Sequence, residues 1–196
     1  LSRVGRSQEA IGHFEAAMRD RPGDANVLFN YGAVLADAGR HDEAIAAYRK
    51  ALDIEPEYPD ALNNLGYELF LGGDREEAMA CFDRVLDADP QNASALFNRG
   101  FVYARTGRID EAISCFNDVL RLRPDDADAH FNLGLALLEQ GQEDEAERHY
   151  REAVRLNPEH AAAHHSLADR LAKRGEVDDA ISHYRSEERR VGKECT

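Results

Sequence analysis

Small and apolar residues return along this chain in one register. Gly32, Gly66, Gly100, Gly134 and then Ala168 share one position, Ala10, Ala44, Ala78, Ala112, Ala146 and Ala180 a second, and Phe14, Tyr48, Phe82, Phe116, Tyr150 and Tyr184 a third. The interval is 34 residues throughout, and Pro22, Pro56, Pro90, Pro124 and Pro158 keep it. A fixed period of this length marks one supersecondary unit copied and stacked, each copy burying its apolar side against its neighbours. Complete repeats run 25–58, 59–92, 93–126 and 127–160; a half repeat occupies 1–24 and an incomplete one 161–185. Positions within the repeat are numbered as columns 1–34, residue 25 standing in column 1.

Two glycine columns divide the repeat into two helices. Column 15, with Gly5, Gly39, Gly73, Gly107, Gly141 and Gly175, ends the first helix, where the left-handed conformation satisfies orphan carbonyls. Column 8 lies inside that helix. Glycine there costs about 1 kcal/mol against alanine and is tolerated where another helix approaches closely, here through the small column 20 and the aromatic column 24 of the second helix. Acidic pairs such as Asp42-Glu43, Asp110-Glu111 and Asp144-Glu145 suit the dipole in the first turn of the second helix. The column-32 proline closes it. The expected product is eleven antiparallel helices over 6–185.

Asn64-Leu65-Gly66, Ala78, Phe82, Val85, Leu86 and Pro90 carry the residue pattern of a known family. The chain closely resembles the tetratricopeptide repeats over residues 1 to 185. The resemblance implies an all-α, right-handed superhelical solenoid of antiparallel helix pairs. One departure is the absence of Trp from column 4, which holds Leu28, Leu62, Leu96, His130 and His164.

At about 100° per residue, columns 4, 7, 8 and 11 cluster on one side of the first helix and pack. Columns 2, 5, 6, 9, 12 and 13 form the opposite, open side, the concave surface of such arrays. Column 6 there is an asparagine ladder, Asn30, Asn64, Asn98 and Asn132, followed by Ser166. Beside it stand Phe29, Tyr67, Phe70, Phe97, Phe101 and Phe131. A primary amide offers donors and an acceptor at once, so regularly spaced amides can hold the backbone of an extended peptide while aromatics add contact area. The candidate peptide-binding residues are therefore Asn30, Asn64, Asn98, Asn132, Phe29, Tyr67, Phe97, Phe101 and Phe131. The ladder resembles the repeat domain of O-linked N-acetylglucosaminyltransferase, which lines its channel with Asn at this column. The same residues also read as a surface habitual to the family, with column 5 packing on its neighbours.

Charge narrows the partners. A net charge of −14 without a basic stripe argues against nucleic acid; it serves solubility or a preference for basic partners. No apolar run reaches the length of a membrane span. The carboxylate clamp of some family members is missing, since columns 5 and 9 hold Phe29 and Ala33, then Asn63 and Tyr67, where it needs Lys and Asn. Column 23 aligns His13, Ala47, Cys81, Cys115, His149 and His183, but successive repeats stand too far apart for these to converge. The column reads as packing filler, His160, His164 and His165 read as surface histidines, and neither metal nor cofactor is expected. The cysteines imply no disulfide framework. No catalytic constellation stands out, so the chain is expected to be a binding scaffold or the substrate-recruiting arm of a larger enzyme such as a glycosyltransferase. Leu1 falls inside a repeat and the register fails after Tyr184. The start is read as a truncation and 186–196 as a non-native tail, with self-association through the unpaired helix at 6–20 as a further option.

Overall fold

The computed structural model describes residues 10–17 and 23–184; the tail at 186–196 lies outside them. They form helices without strands. In chain order these are α1 (10–17), α2 (Ala25–Asp37), α3 (His41–Ile54), α4 (Pro59–Gly72), α5 (Arg75–Ala88), α6 (Ala93–Arg105), α7 (Ile109–Leu122), α8 (Ala127–Glu139), α9 (Glu143–Leu156), α10 (Ala161–Lys173) and α11 (177–184). The chain divides into two compact units, 1–98 and 99–196, the division falling within α6.

Each repeat starts and stops its helices with the same devices. Column 34 supplies caps at the head of the first helix: Asp24 Oδ1 accepts from the amides of Asn26 and Val27, Asn92 Oδ1 from Ala95, Asp126 Oδ1 from Ala129, and His160 Nδ1 from Ala163. Tyr58 cannot cap, and there Pro59 begins α4, where its missing N–H costs nothing. At the other end, Gly39, Gly73, Gly107, Gly141 and Gly175 have φ between 75° and 98°. The residue after each one donates its amide back to column 11, as Arg40 does to Leu35 and Gln142 to Leu137, both at 2.9 Å.

Within the first compact unit α2 packs on α3, α3 on α4 and α4 on α5; within the second, α7 packs on α8, α8 on α9 and α9 on α10. In the pairs α2–α3, α4–α5, α6–α7 and α8–α9 the core is an aromatic ring laid on a glycine. A Cβ on Gly32, Gly66 or Gly134 would lie 2.6 Å from a ring carbon of Tyr48, Phe82 or Tyr150 respectively. These rings and that of Phe116 are fully enclosed, with the column-20 alanines beneath them.

Polar pairs link successive repeats at the two ends of the array. Column 17 meets column 10 of the next repeat as His41 Nδ1 to Glu68 Oε2 at 2.7 Å, and, with the charge order reversed, as Glu143 Oε2 accepting from Arg170 at 2.8 Å. Glu147 adds a second bond between α9 and the end of α10. Its carboxylate, 5% exposed, accepts from Arg151 at 2.9 Å and from Arg174 at 3.0 Å.

Candidate functional site

The amides of column 6 stand on α2, α4, α6 and α8. Asn30 is exposed; Asn64, Asn98 and Asn132 are half-buried. In Asn30 and Asn132 the amide Nδ2 donates to the carbonyl one turn back, of Asn26 and Asp128, at 2.8 Å in both. That bond fixes the rotamer and occupies one of two N–H groups, leaving the other N–H and Oδ1 for a ligand. Asn64 is held differently. Its Nδ2 donates to the hydroxyl of Tyr48 at 3.4 Å, and burial pushes that hydroxyl's pKa up to about 12. The corresponding Tyr150 hydroxyl is buried without a partner; the column-6 residue of the following repeat is the shorter Ser166.

Column 5 is less open than the helical wheel predicts. Phe29 is half-buried, its ring centroid 6.0 Å from that of Tyr48 and 5.1 Å from that of Tyr58. Phe131 sits in the same way between Tyr150 at 5.9 Å and His160 at 4.9 Å. The column-34 residue that precedes the next repeat covers the ring's far side, which a single-helix projection does not show. Asn63 obeys this pairing with polar groups: nearly buried, it donates to Asn92 Oδ1 at 3.4 Å. Phe97 and Phe101 are half-buried, and Tyr67 is 39% exposed.

Leu71 and Leu135, 52% and 38% exposed, were not among the expected contacts. They lie in columns 13 and 9 of the open side, where a search for aromatics and amides passes over aliphatic side chains. The first compact unit holds Phe29, Asn30, Asn64, Tyr67, Phe97 and Asn98, and the second holds Phe101, Phe131 and Asn132.

The filler reading of column 23 fails in the last two repeats. There the column-23 residue meets column 4 of its own repeat. His130 Nδ1 lies 2.9 Å from His149 Nδ1, and His164 Nδ1 lies 2.8 Å from His183 Nδ1. His164 is consequently buried rather than a surface residue, and His160, spent as a helix cap, is nearly so; His165 is exposed. Burial first, then the facing imidazole, lowers the pKa of His149 and of His183 below the ordinary 6.5. Arg148 acts on His149 in the same sense, against Glu145 and Glu152; Arg151 does so on His183, against Asp179.

A depressed histidine pKa means that the folded chain binds fewer protons than the unfolded one, so stability is full above about pH 6.5 and falls as pH drops below it. Protonating His149 or His183 puts an imidazolium in a partly buried site beside a second imidazole, which costs stability. Urea midpoints should therefore decline between pH 7 and pH 5. Replacing His130 by Leu and His149 by Ala, the residues of the first repeat, should flatten that decline.

Among the described residues no helix is long and apolar enough to cross a membrane. Burial pushes the Cys81 thiol up to about 11, so it stays protonated and weakly nucleophilic at neutral pH.

Three family models, each described as tetratricopeptide repeat, match residues 91–159, residues 1–61, and residues 35–96 together with 137–185. No curated protein matches the chain. Among solved structures, PilF of Pseudomonas aeruginosa is similar with a TM-score of 0.78 at 24% identity, over 84% of this chain and 75% of that one. TTC0263, a thermophilic TPR protein of Thermus thermophilus, gives 0.72 at 23%, over 83% and 89%. YrrB, described as a TPR protein with an unusual peptide-binding site, gives 0.62 at 22%, over 89% and 90%. These likenesses are of fold, and they agree with the helix pairs, the glycine turns and the ring-on-glycine core. The chain is a member of the tetratricopeptide repeat family.

Proposed function

We propose that this chain is a protein-interaction scaffold whose open helix faces hold an extended peptide segment. Tetratricopeptide repeats in general are non-catalytic interaction modules, and YrrB is a structural relative described as having a peptide-binding site. The observation that carries the reading is the repeated amide geometry: Asn30 and Asn132, three repeats apart, are each tied to the carbonyl one turn back at 2.8 Å and each keep an acceptor and a donor unspent. In the first compact unit Tyr67 and Leu71 supply exposed apolar surface on the same helix as Asn64, and in the second Leu135 does so on the helix of Asn132. Amides hold the peptide backbone without regard to sequence, and the apolar side chains select among ligands. Phe29, Phe97, Phe101 and Phe131 contribute the exposed parts of half-buried rings.

Substituting Asn30, Asn98 and Asn132 together by Ala tests this while sparing the Asn64 bond to Tyr48. Each lost hydrogen bond contributes about 0.5–1.5 kcal/mol, so affinity across a panel of unrelated extended peptides should fall at least about tenfold. Tyr67→Ala and Leu135→Ala should instead reorder the panel. Unchanged affinities in a triple variant that stays helical by circular dichroism would refute the role of the ladder.

A further inference from the structure

The second repeat departs from the way column-5 side chains are covered elsewhere. In the first repeat the column-34 residue lies against the column-5 ring and its tip reaches column 2: Tyr58 stands against Phe29, and its hydroxyl donates to Asn26 Oδ1 at 2.9 Å. The fourth repeat does the same with His160 against Phe131, its Nε2 3.1 Å from Asp128 Oδ1. In the second repeat columns 2, 5 and 34 hold Asp60, Asn63 and Asn92. No ring is present, and the Asn92 side chain turns inward, its Oδ1 accepting from the Ala95 amide at 3.0 Å and from Asn63 Nδ2 at 3.4 Å. Column 2 thereby loses its column-34 partner: Asp60 is exposed and enters no ion pair among the described residues.

What remains on α4 is a set of acceptors. Asn63 is 4% exposed, and its Oδ1 is buried without a hydrogen-bond partner, a cost that folded chains seldom leave unmet. Asp60 stands three residues before it and Tyr67 four after, so the three share one face of the helix. Helical side chains lean towards the N-terminus, which lays Tyr67, 39% exposed, along the turn of Asn63 and brings Asn63 towards Asp60. Leu71, 52% exposed, extends the same stripe. The stripe thus runs from a carboxylate, past a buried amide oxygen, to aromatic and aliphatic surface, and α4 carries no Lys or Arg to neutralise it.

We propose that this stripe of the second repeat is a specificity subsite for one basic side chain of the bound peptide, arginine before lysine. It rests on the peptide-binding reading above. A guanidinium presents its N–H groups in a planar fork: the Asp60 carboxylate meets the fork at the rim, and Asn63 Oδ1 at the floor takes the N–H that it lacks. The stem of the side chain lies on Tyr67 and Leu71, where the aromatic face also attracts a cation. Charge points the same way, since a chain of net charge −14 draws basic ligands. In the first and fourth repeats a ring fills column 5 and a column-34 side chain already stands at column 2, so the preference belongs to the second repeat.

Fluorescent extended peptides of otherwise uncharged sequence, each carrying one Arg or a Gln in its place, test the proposal by anisotropy with the full chain. At one peptide position the Arg form should bind at least about tenfold more tightly than the Gln form, and the difference should shrink as salt rises. Asp60→Asn should abolish it. So should Asn63→Phe with Asn92→His, which installs the column-5 and column-34 residues of the fourth repeat. Asp87→Asn, which removes a charge from the exposed side of α5, should leave the difference intact. Circular dichroism establishes that each variant is folded. Equal binding of the Arg and Gln forms by the wild type would overturn the subsite and leave the peptide groove standing. An equal loss in Asp60→Asn and Asp87→Asn would overturn it too, as the mark of net charge alone. Absence of binding by either form would refute the groove reading itself, and the subsite with it.

Discussion

Phe82→Ala is expected to lower the free energy of unfolding by about 3–5 kcal/mol, the range for removing a fully buried phenylalanine. The ring is 0% exposed and stands against the backbone of α4, where an added Cβ on Gly66 would come 2.6 Å and 2.9 Å from its carbons and 3.1 Å from the Ala78 carbonyl oxygen. Gly66→Ala alone gains about 1 kcal/mol of helix propensity but forces apart a ring that has no room to turn, an overpacking cost of about 1–3 kcal/mol. The two substitutions should therefore couple. With Phe82→Leu in place the added methyl finds space, and the double variant should be more stable than the two single losses predict. Urea denaturation of all four proteins gives the coupling directly; strict additivity would mean that the ring and the glycine are not in contact.

Removal of the Glu147 carboxylate should have the next largest effect. Burial alone would push this carboxyl's pKa up, but the hydrogen bonds and charges of Arg151 and Arg174 together hold it below the ordinary 4.5. Deleting one member of a buried ion pair costs about 3–5 kcal/mol when the remaining charge stays buried. Here both arginines are about half exposed and can turn to water, so Glu147→Ala is expected to cost about 2–3 kcal/mol, within the scale of losing one such pair's hydrogen bonds. Glu145→Ala, which breaks the exposed pair with Arg148, should change little at pH 7. The sign with pH follows from the depressed pKa: the contribution is complete above about pH 4.5 and disappears as pH falls further. Thermal unfolding of Glu147→Ala and the unaltered protein at pH 7 and pH 4 isolates this effect, because both proteins keep the histidine pairs.

The helix pairs were legible in the sequence because each boundary device is a residue type with one physical use. Gly39 and its four successors mark positive φ, Pro56 and its equivalents end a helix, and Gly66 opposite Phe82 marks close approach. The candidate site was legible only in part. Asn30 and Asn132 fall where a helical wheel puts them, but Phe29 and Phe131 are covered by Tyr58 and His160, which belong to the turn leading into the next repeat. A projection of one helix contains no information about that cover. The histidine pairs were missed for a related reason: the residues of column 23 were compared with one another along the array, while their contacts run across the helix pair to column 4, 19 residues earlier in the chain.

That crosswise pairing also bears on how such an array changes over generations. Columns 4 and 23 form a two-letter word, Leu with Ala or Cys in the first three repeats and His with His in the next two. Changing the word one letter at a time passes through a repeat in which a lone imidazole faces an apolar side chain with no partner for its nitrogen. Duplication of a whole 34-residue segment carries both letters across together. For these two columns the heritable element is thus the repeat rather than the residue, and variants built by exchanging entire repeats avoid intermediates that single substitutions must cross.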